Sequence, residues 1–119
     1  MKQRLICASD ELVDGGRGVR FTVVRHGFSD PAFAVRFRGR VYAYLNRCAH
    51  VPTEMDWQAG EFFDHSGLYL TCATHGALYA PESGCCLGGR CNGKGLVPVS
   101  VVEHDGRVFL IEEGRESVG

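Results

Sequence analysis

Apolar residues in this chain alternate with polar ones in short runs closed by glycine, and no segment carries an apolar stripe of 3.6-residue period. A two-residue period puts side chains on opposite faces of a strand, so the pattern selects β-structure with one face buried. Val19–Val24 and Phe33–Phe37 are rich in β-branched and aromatic residues and read as strands. Arg38-Gly39 turns the second of these into Val41–Leu45. Leu68–Cys72 and Ala77–Ala80 read as two short strands around Gly76. Val97–Glu103 and Arg107–Ile111 flank Asp105-Gly106, a pair suited to a type I′ hairpin turn. Sixteen glycines in 119 residues are nearly twice ordinary usage and fit a chain of many tight turns. The fold expected is all-β: an antiparallel sandwich or barrel of short strands, with irregular loops at 46–67 and 81–96.

That length is the size of one ordinary domain, so 1–119 is read as a single unit. It can bury a core without staples, and 45% hydrophobic with 23% charged residues is a globular balance. Lys2, Arg4, Asp10 and Glu11 interrupt the N-terminal segment, which therefore has no apolar core of signal-peptide length. The longest stretch free of formal charge, His65–Pro81, contains two histidines, two threonines and a serine and is no membrane span. The expected location is the cytoplasm. There, six cysteines read as thiols or metal ligands before they read as a disulfide framework.

Charge is unevenly spread. Residues 1–47 carry nine Lys/Arg against four Asp/Glu, whereas residues 48–119 carry four against ten, for a total of −1. A balance this close to neutral gives no support for a nucleic-acid partner. Glu54, Asp56, Glu61 and Asp64 form an acidic run with no Lys or Arg among them. A solvated loop is the plainer reading of that run; the functional one is an acidic patch steering a basic redox partner.

The chemistry is concentrated in Cys48-Ala49-His50 and Cys72-Ala73-Thr74-His75. Each segment offers one thiolate and one imidazole close enough for a single loop to aim both at one site. Two sulfurs with two imidazoles suit zinc or an iron–sulfur centre, not magnesium or calcium. Each segment follows or closes an expected strand, so two loop tips at one end of a β-structure would converge. A zinc site draws on the same ligand types. Its usual Cys-x-x-Cys and His-x3–5-His spacing differs from the mixed loops found here.

C-x-H followed by C-x-x-H resembles the Rieske 2Fe–2S motif, in which two His replace two of four Cys. His75-Gly76-Ala77-Leu78-Tyr79 extends the likeness, as do Ser83-Gly84 and the glycine-rich Leu87–Cys91, at the place of the loop that covers the cluster. The resemblance spans about residues 40–102. It implies a Rieske-like fold with a small cluster-binding part at about 46–96. It further implies one 2Fe–2S cluster, held by Cys48 and Cys72 on the inner iron and by His50 and His75 on the outer iron. Neutral imidazoles in place of thiolates make such a site less negative, so an added electron is accommodated more easily. The surplus charge of the reduced state then favours protonated imidazoles, and the midpoint is expected to depend on pH in the alkaline range.

Four departures from the family refine this expectation. Between His50 and Cys72 lie 21 residues, more than is usual, assigned to an enlarged loop at Gln58–Gly67 whose added closure entropy is small. Thr53 and Thr74 stand where respiratory-complex members carry a cysteine pair, so that disulfide is impossible. Ala77 replaces their cluster-facing serine, although Tyr79 matches their tyrosine. Pro52 stands where many members have glycine, and it has no N–H to donate. Together these point to the lower-potential, ferredoxin-like members.

The function implied is one-electron transfer by a soluble Rieske ferredoxin, from a reductase to an oxygenase or similar acceptor. Redox proteins are the expected partners, with no nucleic acid, membrane or small-molecule substrate site. Alternatives are an electron-transfer subunit of a multicomponent oxidoreductase and a structural zinc module. The chain is expected not to be an enzyme by itself. Residues 76–119 contain one histidine, His104, too few for the second, mononuclear iron site of an oxygenase. Cys7 reads as a small core residue and Cys85 and Cys86 as loop or packing residues, while Cys91 falls in the covering segment. His26, His65 and His104 read as surface groups, Trp57 as packing for the enlarged loop, and Tyr42 and Tyr44 as one sheet face.

Overall fold

The structure is a computed structural model and describes residues 2–25, 27–47, 60–64, 66–72, 77–88 and 95–112. Nine strands follow in order: β1 Lys2–Ala8, β2 Val19–Arg25, β3 Phe28–Phe37, β4 Arg40–Leu45, β5 Leu70–Thr71, β6 Leu78–Tyr79, β7 Cys86–Gly88, β8 Val101–His104 and β9 Arg107–Glu112. One 3-10 turn, Ser9–Glu11, is the only helical element among the described residues. The strands form three antiparallel three-stranded sheets, ordered β1-β9-β8, β2-β3-β4 and β5-β6-β7. The all-β expectation holds.

Two hairpins turn as their sequences dictate. Arg38 and Gly39 have φ of 52° and 83°, and Asp105 and Gly106 have φ of 54° and 71°. Positive φ at both central residues defines type I′, whose twist matches that of the flanking strands. The non-glycine Arg38 is held there because the Asp14 carboxylate accepts the amides of both Arg38 and Gly39, the latter at 2.8 Å.

β3 begins five residues before the expected Phe33, at Phe28, and passes through Pro31. Pro31 is tolerated because β4 ends opposite Ala32; just beyond, the Pro31 carbonyl accepts the Asn46 amide at 2.8 Å. β1 was not expected as a strand. Its alternation is broken by a register shift between Leu5 and Cys7, and its partner β9 lies at the far end of the chain. β7 lies in the segment read as irregular, and β8 begins at Val101, four residues later than expected, leaving Pro98 in an isolated bridge to Tyr44.

The pleat of β3 organises the interior. Ala32, Phe33, Ala34 and Val35 are all fully buried, so β3 is covered on both faces. Phe33 and Val35 point into a core shared with Tyr44, Phe62, Leu70, Cys72, Ala77, Tyr79 and Leu96. Ala34 points the other way, to Cys7, Leu12, Ala43 and Val108. Phe33 faces Tyr44 and Ala34 faces Ala43 across the β3–β4 ladder, so β4 divides its side chains in the same way. The middle sheet thus lies between the terminal sheet β1-β9-β8 and the small sheet β5-β6-β7.

Candidate metal centre

Of the four expected ligands, Cys72 lies within the described residues; Cys48, His50 and His75 lie outside them. Among the described residues no three His, Cys, Asp or Glu side chains gather as a metal site. The described residues do show how the two segments expected to bear the ligands are approached.

β5 and β6 pair Leu70 with Tyr79 and Thr71 with Leu78. One residue further, the Cys72 amide donates to the Ala77 carbonyl at 3.0 Å, closing the hairpin around residues 73–76. Cys72 therefore stands at the base of the connection that contains His75. It is fully buried, among Phe33, Leu70, Ala77 and Tyr79. A thiol in that position is shielded from water, as an inner ligand to a cluster should be.

The other segment leaves from the end of β4. There the Leu45 amide donates to the Val97 carbonyl at 2.9 Å and Asn46 is buried at 1% exposure, with Arg47 leading directly to Cys48. Tyr44, two residues before Asn46, belongs to the same core as Cys72. One packed interior therefore fixes both approaches. Of the expected donors the structure describes Cys72, and its burial at a hairpin base over an apolar shell suits a ligand to a Rieske cluster. When bound, such a cluster supplies a one-electron redox centre.

The segment after β6 is tied down beside this frame. The Tyr44 hydroxyl, buried, donates to the Pro81 carbonyl at 2.7 Å. Burial, with the nearby Tyr42 and Cys85, pushes the Tyr44 phenol well above its usual range, so it stays a donor. Gly84 has φ of 76°, and a Cβ there would come within 2.8 Å of the Tyr44 ring. The Gly84 amide donates to Ala80 and its carbonyl accepts the Leu96 amide, at 2.7 and 2.8 Å. Gly95 and Leu96 thus sit against the turn at Gly84.

The remaining expectations divide. Cys7 is a buried core residue, as expected, and Tyr42 and Tyr44 share one core. His104 lies on the surface in the last hairpin, its ring nitrogens 3.0 Å from an Asp105 carboxylate oxygen and 2.8 Å from the Gln3 side-chain oxygen. Cys86 packs against the core, as expected, and is in addition disulfide-bonded. In the acidic run, Glu61 pairs with Arg17 at 2.9 Å. Asp64 accepts from the Ser66 hydroxyl at 2.7 Å. Slight burial would raise its carboxyl, but the bonds from Ser66 and nearby amides outweigh that and hold it below the usual carboxylate range. These two acids thus have local partners, and Asp64 organises its own turn. Glu54, Asp56, Trp57, His26, His65 and Cys91 lie outside the described residues.

A profile of the "Rieske [2Fe-2S] domain" family matches residues 2–109. The chain belongs to the Rieske [2Fe-2S] domain family. Family membership implies one Rieske-type 2Fe–2S cluster. A search of curated proteins finds no match. Among solved structures, the chain is similar to the ferredoxin of carbazole 1,9a-dioxygenase from Nocardioides aromaticivorans IC177, with TM-score 0.69 and 18% identity. The likeness covers 95% of this chain and 100% of that one. The Sphingomonas yanoikuyae B1 ferredoxin has TM-score 0.72 and 18% identity, covering 94% of this chain and 100% of its own. The Rieske monooxygenase CntA also has TM-score 0.72 and 18% identity, with 94% of this chain matched but 32% of CntA. At such identities the likeness establishes the Rieske fold.

Proposed function

We propose that this Rieske protein is a ferredoxin-like electron carrier whose cluster is held by Cys48, His50, Cys72 and His75 in a cluster-binding part at about 46–96 of one unit, 1–119. Family membership carries the electron-transfer chemistry. Buried Cys72 at the base of the β5–β6 hairpin carries the site assignment. The ferredoxin reading is supported by structural likeness along the full length of two ferredoxins, one of them named for carbazole 1,9a-dioxygenase. A neighbour at 22% identity is described as a complex of reduced oxygenase and oxidised ferredoxin. By analogy, the acceptor here is an oxygenase and the donor a reductase.

A second reading, an electron-transfer subunit of a larger oxidoreductase, is favoured by the equal TM-score to CntA. The proposed location is the cytoplasm; no described helix is long and apolar enough to cross a membrane.

The deciding experiment is EPR of the reduced, iron-loaded protein. A mixed His/Cys cluster gives a low average g value, and His75→Ala or Cys72→Ala should abolish that signal. A colourless protein with bound zinc overturns the reading. Stopped-flow transfer to an oxygenase component then tests the carrier role: no transfer on a timescale of catalytic turnover counts against it.

A further inference from the structure

Tyr44 brings a polar contact into a core of mainly apolar side chains. It is buried with Phe33, Cys72, Tyr79 and Leu96, and its hydroxyl donates to the buried Pro81 carbonyl at 2.7 Å. No other donor among the described residues reaches that carbonyl. For packing alone a phenylalanine would serve at this position. The hydroxyl is an addition, directed at one acceptor.

The place of that acceptor gives the bond its reach. Pro81 lies two residues beyond Tyr79, where β6 ends. Tyr79 pairs with Leu70, and at the other end of the strand the Ala77 carbonyl accepts the Cys72 amide. The middle sheet and the small sheet share no ladder. The Tyr44–Pro81 bond therefore joins β4 directly to the hairpin that bears Cys72. The turn is shaped to receive the tyrosine, because a Cβ at Gly84 would lie 2.8 Å from Cε1 of its ring. Ring and hydroxyl thus grip the 80–84 turn at two points.

We infer that Tyr44 is a positioning residue for the cluster: its bond to Pro81 fixes the Cys72 hairpin against β4 and holds one geometry around the ligand sulfur in both oxidation states. The inference rests on Cys72 being a ligand. Groups behind a ligand set the orientation in which it meets the metal. A close-packed interior transmits small displacements rather than absorbing them. Without the hydroxyl, the Pro81 carbonyl becomes a buried acceptor with no donor, so the turn shifts towards water and takes β6 with it.

Three substitutions in iron-loaded protein test the role. Tyr44→Phe removes the bond. Tyr42→Phe removes the same atom two residues away on the same strand, from a hydroxyl with no hydrogen-bond partner among the described residues. Arg36→Ala weakens the fold through lost bonds to Leu12 and Glu103, outside the Cys72 core. In Tyr44→Phe the EPR lines of the reduced protein should broaden and the midpoint should shift. Iron should pass to a chelator several-fold faster than from native protein. The hydrogen-bonded Gly84 and Leu96 amides should also exchange faster, which reads the turn independently of the metal. Tyr42→Phe should match the native protein in all four measurements, and Arg36→Ala should lose stability to urea yet keep the native EPR and midpoint. Native line shape, midpoint and iron loss in Tyr44→Phe overturn the inference, as does an equal EPR change in either control. If Tyr44→Phe does not fold, Gly84→Ala keeps the hydroxyl but crowds the ring, and it should broaden the lines likewise; a native line shape there also overturns the inference. Native protein that holds no iron removes the Cys72 assignment and this inference with it, whereas a native signal untouched by Tyr44→Phe removes the positioning role alone.

Discussion

Cys7 and Cys85 are both free thiols, yet their surroundings make them chemically unlike. Burial, and then the negative charge of Glu11, pushes the Cys7 thiol up to about 11, while Cys85 is exposed. Thiolate is the reactive form, so Cys7 stays inert at neutral pH. Brief treatment of the folded protein with iodoacetamide at pH 7.5 should label Cys85 and leave Cys7 unmodified, as read by peptide mass. Ala77 supplies a second residue-level test. It is fully buried at the foot of the β5–β6 hairpin, where respiratory-type relatives place a serine. A hydroxyl donating towards the cluster is worth about 1 kcal/mol, which for one electron raises the midpoint by about 40 mV. Ala77→Ser should show that rise by redox titration, and an unchanged or lower midpoint would contradict the placement. At this scale the candidate ligands were legible, because Cys and His at tight spacing are scarce and chemically specific. The disulfide state of Cys86 was not, since adjacency to Cys85 says nothing about which sulfur a strand brings near.

Arg36 shows what joins the elements. From β3 its guanidinium donates to both carboxylate oxygens of Glu103 on β8, at 2.6 and 3.2 Å, and to the carbonyls of Leu12, Ser9 and Gly39. The bond from Arg36 holds the Glu103 carboxyl below the usual carboxylate range. A depressed carboxyl stabilises the fold above its unfolded value near 4.5, and that contribution is lost as pH falls through its lower folded value. The stability gap between native protein and Glu103→Gln, measured by urea unfolding, should therefore be widest near neutrality and narrow as pH falls below 4.5. Arg36→Ala should cost about 2 kcal/mol, because it strands the part-buried Leu12 carbonyl and the Glu103 carboxylate and leaves the Ser9 carbonyl with the Leu12 amide alone. Gly84→Ala should cost about 1–2 kcal/mol from its left-handed backbone alone, before any clash with Tyr44, and lower the melting temperature by several degrees. The hairpin turns among these elements were legible because their signal is local: Asp105-Gly106 and Arg38-Gly39 specify a turn without help from the rest of the chain. β1 and β7 were not. β1 acquires its strand character from β9, more than a hundred residues away, and β7 is a three-residue piece containing glycine.

Over the whole molecule, the asymmetry of charge has a measurable consequence. Residues 48–119, which include the proposed ligands, hold ten acids against four bases. If this half presents the docking face, transfer to a basic partner should slow several-fold between about 50 and 300 mM salt, since exposed charges are screened within a Debye length of ~10 Å or less. Stopped-flow rates insensitive to salt would remove electrostatic steering. The small sheet and the terminal sheet do not fold as separable pieces, because β3 forms a wall of both cores. In amide exchange, protection should accordingly peak along Ala32–Val35, and these protons should exchange only through global opening. If the protein binds and releases redox partners at every turnover, as proposed, β3 gives it one fixed spine that docking does not have to rebuild.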